Sequence, residues 1–243
     1  MWIRVPHGAP NRFMDNVFIL QKEYIKSIDG FIIKSLMAEY ANWYLDKFIV
    51  EGDDYKLLKR EKLIPVGNLI FVQQYLDKKM KPIEVPEELR KYLNREYHII
   101  KGKDIPNEFK NENYFFKDAD TLKKWNNALN PYDLTFDKET NYVVSKRVIF
   151  DSEYRIFIYD NEILGLKNYL GDILLFPDID YIKDIINNYK GPNAYTLDIG
   201  IHDGKTDLIE IHPFVSCGLY GFYDRNIIPM LKEGFNWYEY HLD

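Results

Sequence analysis

The most regular hydrophobic pattern lies near the end of the chain. Residues 196–201 alternate apolar and polar positions and are rich in β-branched side chains, which predicts a strand. His202-Asp203-Gly204-Lys205 predicts a hairpin turn with Asp-Gly as its signal, and residues 208–211 predict the returning strand. Strands are also predicted at 114–117, 142–148 and 153–159, the last turning at Asp160-Asn161 into 163–166. Ile32, Leu36, Tyr40 and Trp43 recur at helical spacing and predict a helix over 31–44. Ile179, Ile182, Ile185 and Ile186 share one side of a predicted helix over 178–189, which Gly191-Pro192 ends. Shorter helices are predicted at 87–93, behind Pro86, and at 227–233. A further helix, capped by Asp120 or Thr121, carries Lys123, Lys124 and Trp125. Residues 17–24 are apolar without a decisive period, and 69–76 follow the break at Gly67-Asn68 with apolar residues on one side. Residues 2–5 form a short apolar segment, and 81–86 an extended crossing. Strands paired by Asp/Asn turns and interleaved with helices imply an α+β, mixed α/β, architecture. The expected boundary is near Asn94, giving an N-terminal α/β domain over 1–94 and a second region over 95–243.

Composition narrows the class. Aromatic residues make up 16% of the chain, which favours a filled core with aromatic-lined clefts over disorder. A net charge of −6 argues against a general nucleic-acid binder. The single cysteine, Cys217, excludes an internal disulfide and points to a reducing cytoplasm. No apolar run reaches membrane-spanning length, and the N-terminus lacks a signal-peptide core.

The candidate chemistry gathers on the hairpin. Glu210 and His212 are two apart on one strand and share a face, and folding at Asp203-Gly204 brings Asp198 roughly opposite them. Two carboxylates and an imidazole on one ribbon face form a candidate divalent-metal site. Their neighbours Leu197, Ile199, Leu208, Ile209 and Ile211 are apolar, and buried acids are paired or metal-bound. Glu153 and Arg155 share a strand face with Phe157. An arginine there pairs with an acid, Glu153 or Asp198, or with a phosphate. Lys117 closes the run Tyr-Phe-Phe-Lys, a cation at a strand end. His7, His98, His202 and His241 are scattered, so no zinc cluster is expected. There is no Gly-rich nucleotide-binding loop and no nucleophile elbow.

An Asp in a strand, a hairpin, then Glu-x-Asn and a small-residue loop is the metal-binding signature of ATP-grasp enzymes, and the span from Asp198 to Ser216-Cys-Gly-Leu-Tyr220 resembles it. The segment FDSEYRIFI, from Phe150 to Ile158, is similar to the E-x-R strand of a short phage and bacterial clade named for one arginine and two lysines. Pro65, Gly67, Phe71 and Val72 match a Pro-x-Gly-x-x-x-Phe-Val segment of that clade. The resemblance implies an ATP-grasp fold, with a lid over about 95–145 and a metal-binding part over about 146–243. It implies an ATP-dependent carboxylate–amine ligase acting through an acyl phosphate, with ATP and Mg²⁺ or Mn²⁺ as cofactors. Its partners would be a small-molecule or peptide carboxylate and an amine acceptor. Asp198, Glu210 and His212 would hold metal. Arg155, Lys117 and Lys123, preferred over Lys124, would bind phosphate or acyl phosphate. Residues 143–148 would be the adenine hinge, with Val144 and Val148 against the ring. Lys146 would contact nucleotide or point to water, and Glu153 would join Arg155 at the cofactor.

His212 departs from the pattern by standing where the family has Asn. It leaves open Mn²⁺ use, a supporting place behind the ligands, or lost turnover. The alternatives to a ligase are a catalytically weakened nucleotide-binding module, or a phosphoryl or nucleotidyl transferase on the same scaffold.

Overall fold

A computed structural model describes residues 17–40, 49–51, 56, 63–77, 80, 85–121, 126–127 and 135–241. The expectations for residues 2–5, for Trp43 and for Lys123 and Lys124 with their helix fall outside these residues.

The apolar stretch after residue 16 becomes β1 (Val17–Gln21), followed by α1 (Ile28–Tyr40), β2 (Ile49–Val50), β3 (Leu63–Val66) and α2 (Leu69–Leu76). The strands pair in parallel in the order β2-β1-β3. Continuous apolar runs suit a parallel sheet covered on both faces. Pro65 is tolerated because β3 lies at an edge of this sheet. Asn68 starts α2 by accepting from the Phe71 amide at 2.9 Å.

A second sheet follows: β4 (Tyr97–Lys101), β5 (Tyr114–Asp118), β6 (Asn126–Asn127) and β7 (Asn141–Lys146), antiparallel in the order β4-β7-β5-β6. The third holds β8 (Ser152–Tyr159), β9 (Glu162–Gly171), β10 (Ala194–His202) and β11 (Lys205–Pro213) in the order β11-β10-β8-β9. Between β9 and β10 runs α3 (Ile179–Asn188), capped by the Asp178 carboxylate. The chain closes with α4 (Ile227–His241). Both hairpin turns of the third sheet carry positive φ at their two central residues, Asp160-Asn161 and Asp203-Gly204, the backbone a tight two-residue turn needs.

Several expected elements were too short, the returning strand at 208–211 among them. The final helix does not stop at 233, because Gly234 is not a cap. A Cβ there would lie 2.5 Å from the Phe214 carbonyl oxygen, so the glycine lets α4 press onto the chain leaving β11. Strand β9 extends through Gly165, where a Cβ would meet the Phe222 ring. One apolar core joins the parallel sheet to α4 and to Phe157, Phe214 and Phe222. A second packs Ile182, Ile185 and Ile186 of α3 against Ile156, Ile158, Leu197, Ile199 and Leu208. Asn94, at the expected boundary, has φ 48° and opens the passage into β4.

Candidate functional site

Alternation along the third sheet sets up two rows of residues on one of its faces. Arg155, Asp198 and Glu210 stand opposite one another across β8, β10 and β11. In the next row are Phe157, Thr196 and His212. The expected juxtaposition of Asp198 with Glu210 is therefore in direct register, and His212 lies beside Glu210, with Nε2 2.8 Å from Oε1.

Asp198 is committed elsewhere. Its two oxygens accept from Arg155 Nε and Nη2, each at 2.7 Å, and Arg155 Nη1 donates to the Gly218 carbonyl at 3.2 Å. The Tyr220 ring covers the guanidinium at 5.1 Å and stacks on Tyr169 at 5.0 Å. This is the acid-pairing alternative for Arg155, in a planar two-bond geometry that belongs to charged partners. Burial raises the Asp198 carboxyl above its ordinary value, against the lowering pull of Arg155. Burial also opposes the Arg155 charge, but Asp198 outweighs it and holds the guanidinium above its ordinary value. Of the two expected acid partners of Arg155, Asp198 takes the ion pair, while Glu153 accepts from the Tyr169 hydroxyl at 2.6 Å.

Glu210 meets the second sheet. Lys117 Nζ lies 3.5 Å from its Oε2, so a cation of β5 reaches a carboxylate of β11 across the cleft. Burial alone would raise the Glu210 carboxyl. His212, then Lys117 and Arg155, outweigh burial and hold it well below the ordinary carboxylate range. Among the described residues, no group of three or more His, Cys, Asp or Glu side chains is placed to hold a metal ion.

The hinge residues divide. Val144 pairs with Phe116 and is buried in the small core with Tyr142 and Ile105, on the face opposite Lys117. Val143 pairs with Lys117 and shares its face. Lys146 is exposed at the end of β7, and Val148 is half-buried in the link to β8.

Two residues escaped the sequence reading. Thr196 is fully buried on the cleft face, and its hydroxyl has no hydrogen-bond partner among the described residues. Arg95 donates from Nε to the Ser145 hydroxyl at 3.1 Å, from Nη1 to the carbonyls of Leu93 at 3.1 Å and Leu208 at 2.7 Å, and from Nη2 to that of Ile209 at 3.1 Å. Burial pulls this guanidinium below its ordinary value, with Asp207 opposing. A small cavity lined by Tyr24, Gly67, Phe214, Ser216 and Cys217 lies where β1 and β3 end beside the loop after β11.

A family model for an ATP-grasp domain, the second family of its clade, matches residues 92–230, more than half the chain. The chain belongs to this ATP-grasp family. No curated protein matches at the sequence level. Among solved structures, N5-carboxyaminoimidazole synthetase from Staphylococcus aureus aligns with TM-score 0.53 at 10% identity, over 93% of this chain and 77% of that one. D-alanine–D-alanine ligase from Bacillus anthracis aligns with TM-score 0.50 at 10% identity, over 94% and 99%. Both likenesses establish the fold alone. Cdc123 from Schizosaccharomyces pombe aligns at 18% identity over 34% of this chain and 37% of that one, with a TM-score of only 0.26. Within the ATP-grasp fold, the cleft between the second and third sheets is the candidate active site. Among the described residues no helix is long and apolar enough to cross a membrane.

Proposed function

We propose that this ATP-grasp protein is an ATP-dependent carboxylate–amine ligase. The observation that carries the reading is the meeting of Lys117 and Glu210 at 3.5 Å across two sheets, beside the Arg155–Asp198 pair. A carboxylate becomes reactive toward an amine when its oxygen attacks the γ-phosphorus of ATP. That step forms an acyl phosphate and releases ADP. Amine attack at the acyl carbon then expels phosphate. Charge must be met at the phosphates throughout. Lys117 stands at the cleft to neutralise the transferring group, and Lys123 would be a second such cation. Val143, on the face of Lys117, and Val148 would flank the adenine, with Lys146 near the nucleotide edge.

Glu210 and His212 would hold Mg²⁺ or Mn²⁺, and Asp198 would join them by releasing Arg155. One carboxylate and one imidazole fit a cation that takes its remaining ligands from phosphate and water. Bound there, the cation would neutralise phosphate charge. Arg155, saturated by Asp198 and Gly218, holds the loop that follows β11. That loop borders the small cavity beside Gly67. The mutual saturation of Arg155 and Asp198 favours a second reading, a nucleotide-binding module of weakened turnover.

ATP with Mg²⁺ or Mn²⁺ should raise thermal stability, by about 2.7 kcal/mol at a hundredfold excess over Kd. Absence of any shift at millimolar ATP would overturn nucleotide binding. ADP and phosphate release that requires both a carboxylate and an amine supports the ligase. ATP binding without turnover supports the module, and AMP or a phosphorylated product would mark a transferase.

A further inference from the structure

We propose that Arg95 is a positioning residue that pins the second sheet to the third and thereby sets the reach of Lys117 to Glu210. This rests on the ligase reading for its catalytic consequence, and on the geometry alone for its structural part. The chain enters the second sheet through Asn94 and Arg95. Asn94 donates to Asp207, a fully buried carboxylate, at 2.5 Å. Arg95 then spans both sheets. Its acceptors on β11 are the carbonyls of Leu208 and Ile209, immediately before Glu210, and its acceptor on β7 is Ser145. Ser145 stands opposite Phe115, two residues from Lys117 on the same strand face. One guanidinium therefore ties the strand that carries Glu210 to the face that carries Lys117.

The acceptors themselves argue for this role. An arginine kept for its charge would seek a carboxylate, yet the hydrogen bonds of Arg95 among the described residues all go to neutral oxygens. Three are backbone carbonyls whose places are set by the strands and by the chain just before β4. A planar fork with five fixed N–H donors can bridge such acceptors in different directions at once, and an ammonium on a flexible stem cannot. Arg95→Lys thus separates geometry from charge.

The test compares Arg95→Lys, Arg95→Met, Ser145→Ala and Arg95→Lys/Ser145→Ala with the parent in the full chain. Two readouts are used: ADP release per folded molecule, and the distance between spin labels at Glu108→Cys and Lys205→Cys in a Cys217→Ala background. Arg95→Lys should lower kcat by about ten- to a hundredfold, the scale of an ångström-level misplacement, with a smaller change in the KM for ATP. Ser145→Ala should lower kcat less, and the double variant should be no worse than Arg95→Lys, because both act through one strut. The distance distribution should broaden in Arg95→Lys and Arg95→Met. The proposal is overturned if Arg95→Lys keeps the parent's kcat and distance distribution. It is equally overturned if stability alone falls while both readouts hold. If the parent itself turns over no ATP, the ligase reading fails, and the distance measurement still decides the strut.

Discussion

The two faces of the third sheet are built from alternate residues of the same strands, yet they solve opposite problems. The back face, with Ile156, Ile158, Leu197, Ile199 and Leu208, packs against α3 and carries no charged side chain at these positions. The cleft face carries Glu153, Arg155, Asp198, Glu210 and His212 at the intervening positions. Period-two geometry lets one strand supply both without compromise. Apolar burial is non-directional and tolerates modest repacking, whereas each buried charge on the cleft face needs a named partner in place. The back face therefore holds the strands together, and the cleft face can be kept polar because of it.

The comparison breaks most severely where a cleft-face charge loses its partner. Arg155→Met should destabilise the protein by about 3–5 kcal/mol in urea denaturation, because Asp198 is left buried and uncompensated. Adding Asp198→Leu should recover most of that loss, and no recovery would mean that the cost lies in the Gly218 and Tyr220 contacts instead. On the back face, Leu197→Ala should cost about 2–5 kcal/mol, from lost burial and the cavity left behind. Per folded molecule, nucleotide binding should persist in Leu197→Ala. Loss of binding there would mean that the two faces are not independent.

The same contrast explains what sequence could reveal. The hairpin β10–β11 was legible because alternation and Asp-Gly are local signals, and they carried Asp198 and Glu210 into register. Alternation also put Arg155 on the face of the acids, but it could not say that Asp198 would give both its oxygens to that arginine. Val143 and Val144 are both apolar, and only the pairing with β5 tells which of them shares the face of Lys117. Arg95 left no trace, since backbone carbonyls on β11, far along the chain, have no residue identity to read. The continuation of α4 through Gly234 left no local signal, because the contact of that glycine with Phe214 is tertiary.

A smaller effect sharpens the difference between the two facing acids. Glu210 is held below the ordinary carboxylate value, so the unfolded chain takes up its proton first as pH falls. Its stabilising contribution is full above about pH 4.3, the ordinary value, and is lost as pH falls through the folded value. Asp198 is raised and has the opposite sign: its contribution is present at low pH and is lost as pH rises through the folded value. In metal-free protein, Glu210→Gln should cost on the order of 1 kcal/mol or less at pH 7, since the side chain is partly open to solvent. The gap between parent and variant should shrink on acidification toward about pH 3, below the ordinary carboxylate value. A gap that stays constant across that range would show that the Glu210 charge does not contribute.

A substitution at His212 asks whether the cleft face binds metal through an imidazole. His212 is the last residue before Pro213, which restricts it to extended backbone, and its place on β11 opposite Thr196 keeps the ring on the cleft face beside Glu210. An imidazole suits Mn²⁺ better than Mg²⁺, and an amide oxygen suits Mg²⁺. His212→Asn should leave stability within about 0.5–1.5 kcal/mol of the parent, the range of one hydrogen bond. It should shift the Mn²⁺ to Mg²⁺ ratio of ATP-dependent activity, or of metal-dependent ATP affinity, toward Mg²⁺. The affinity readout keeps the comparison open even for a protein with slow turnover. If the ratio stays where it was while Glu210→Gln abolishes the metal effect, Glu210 is the ligand and His212 serves only to hold its carboxylate at 2.8 Å.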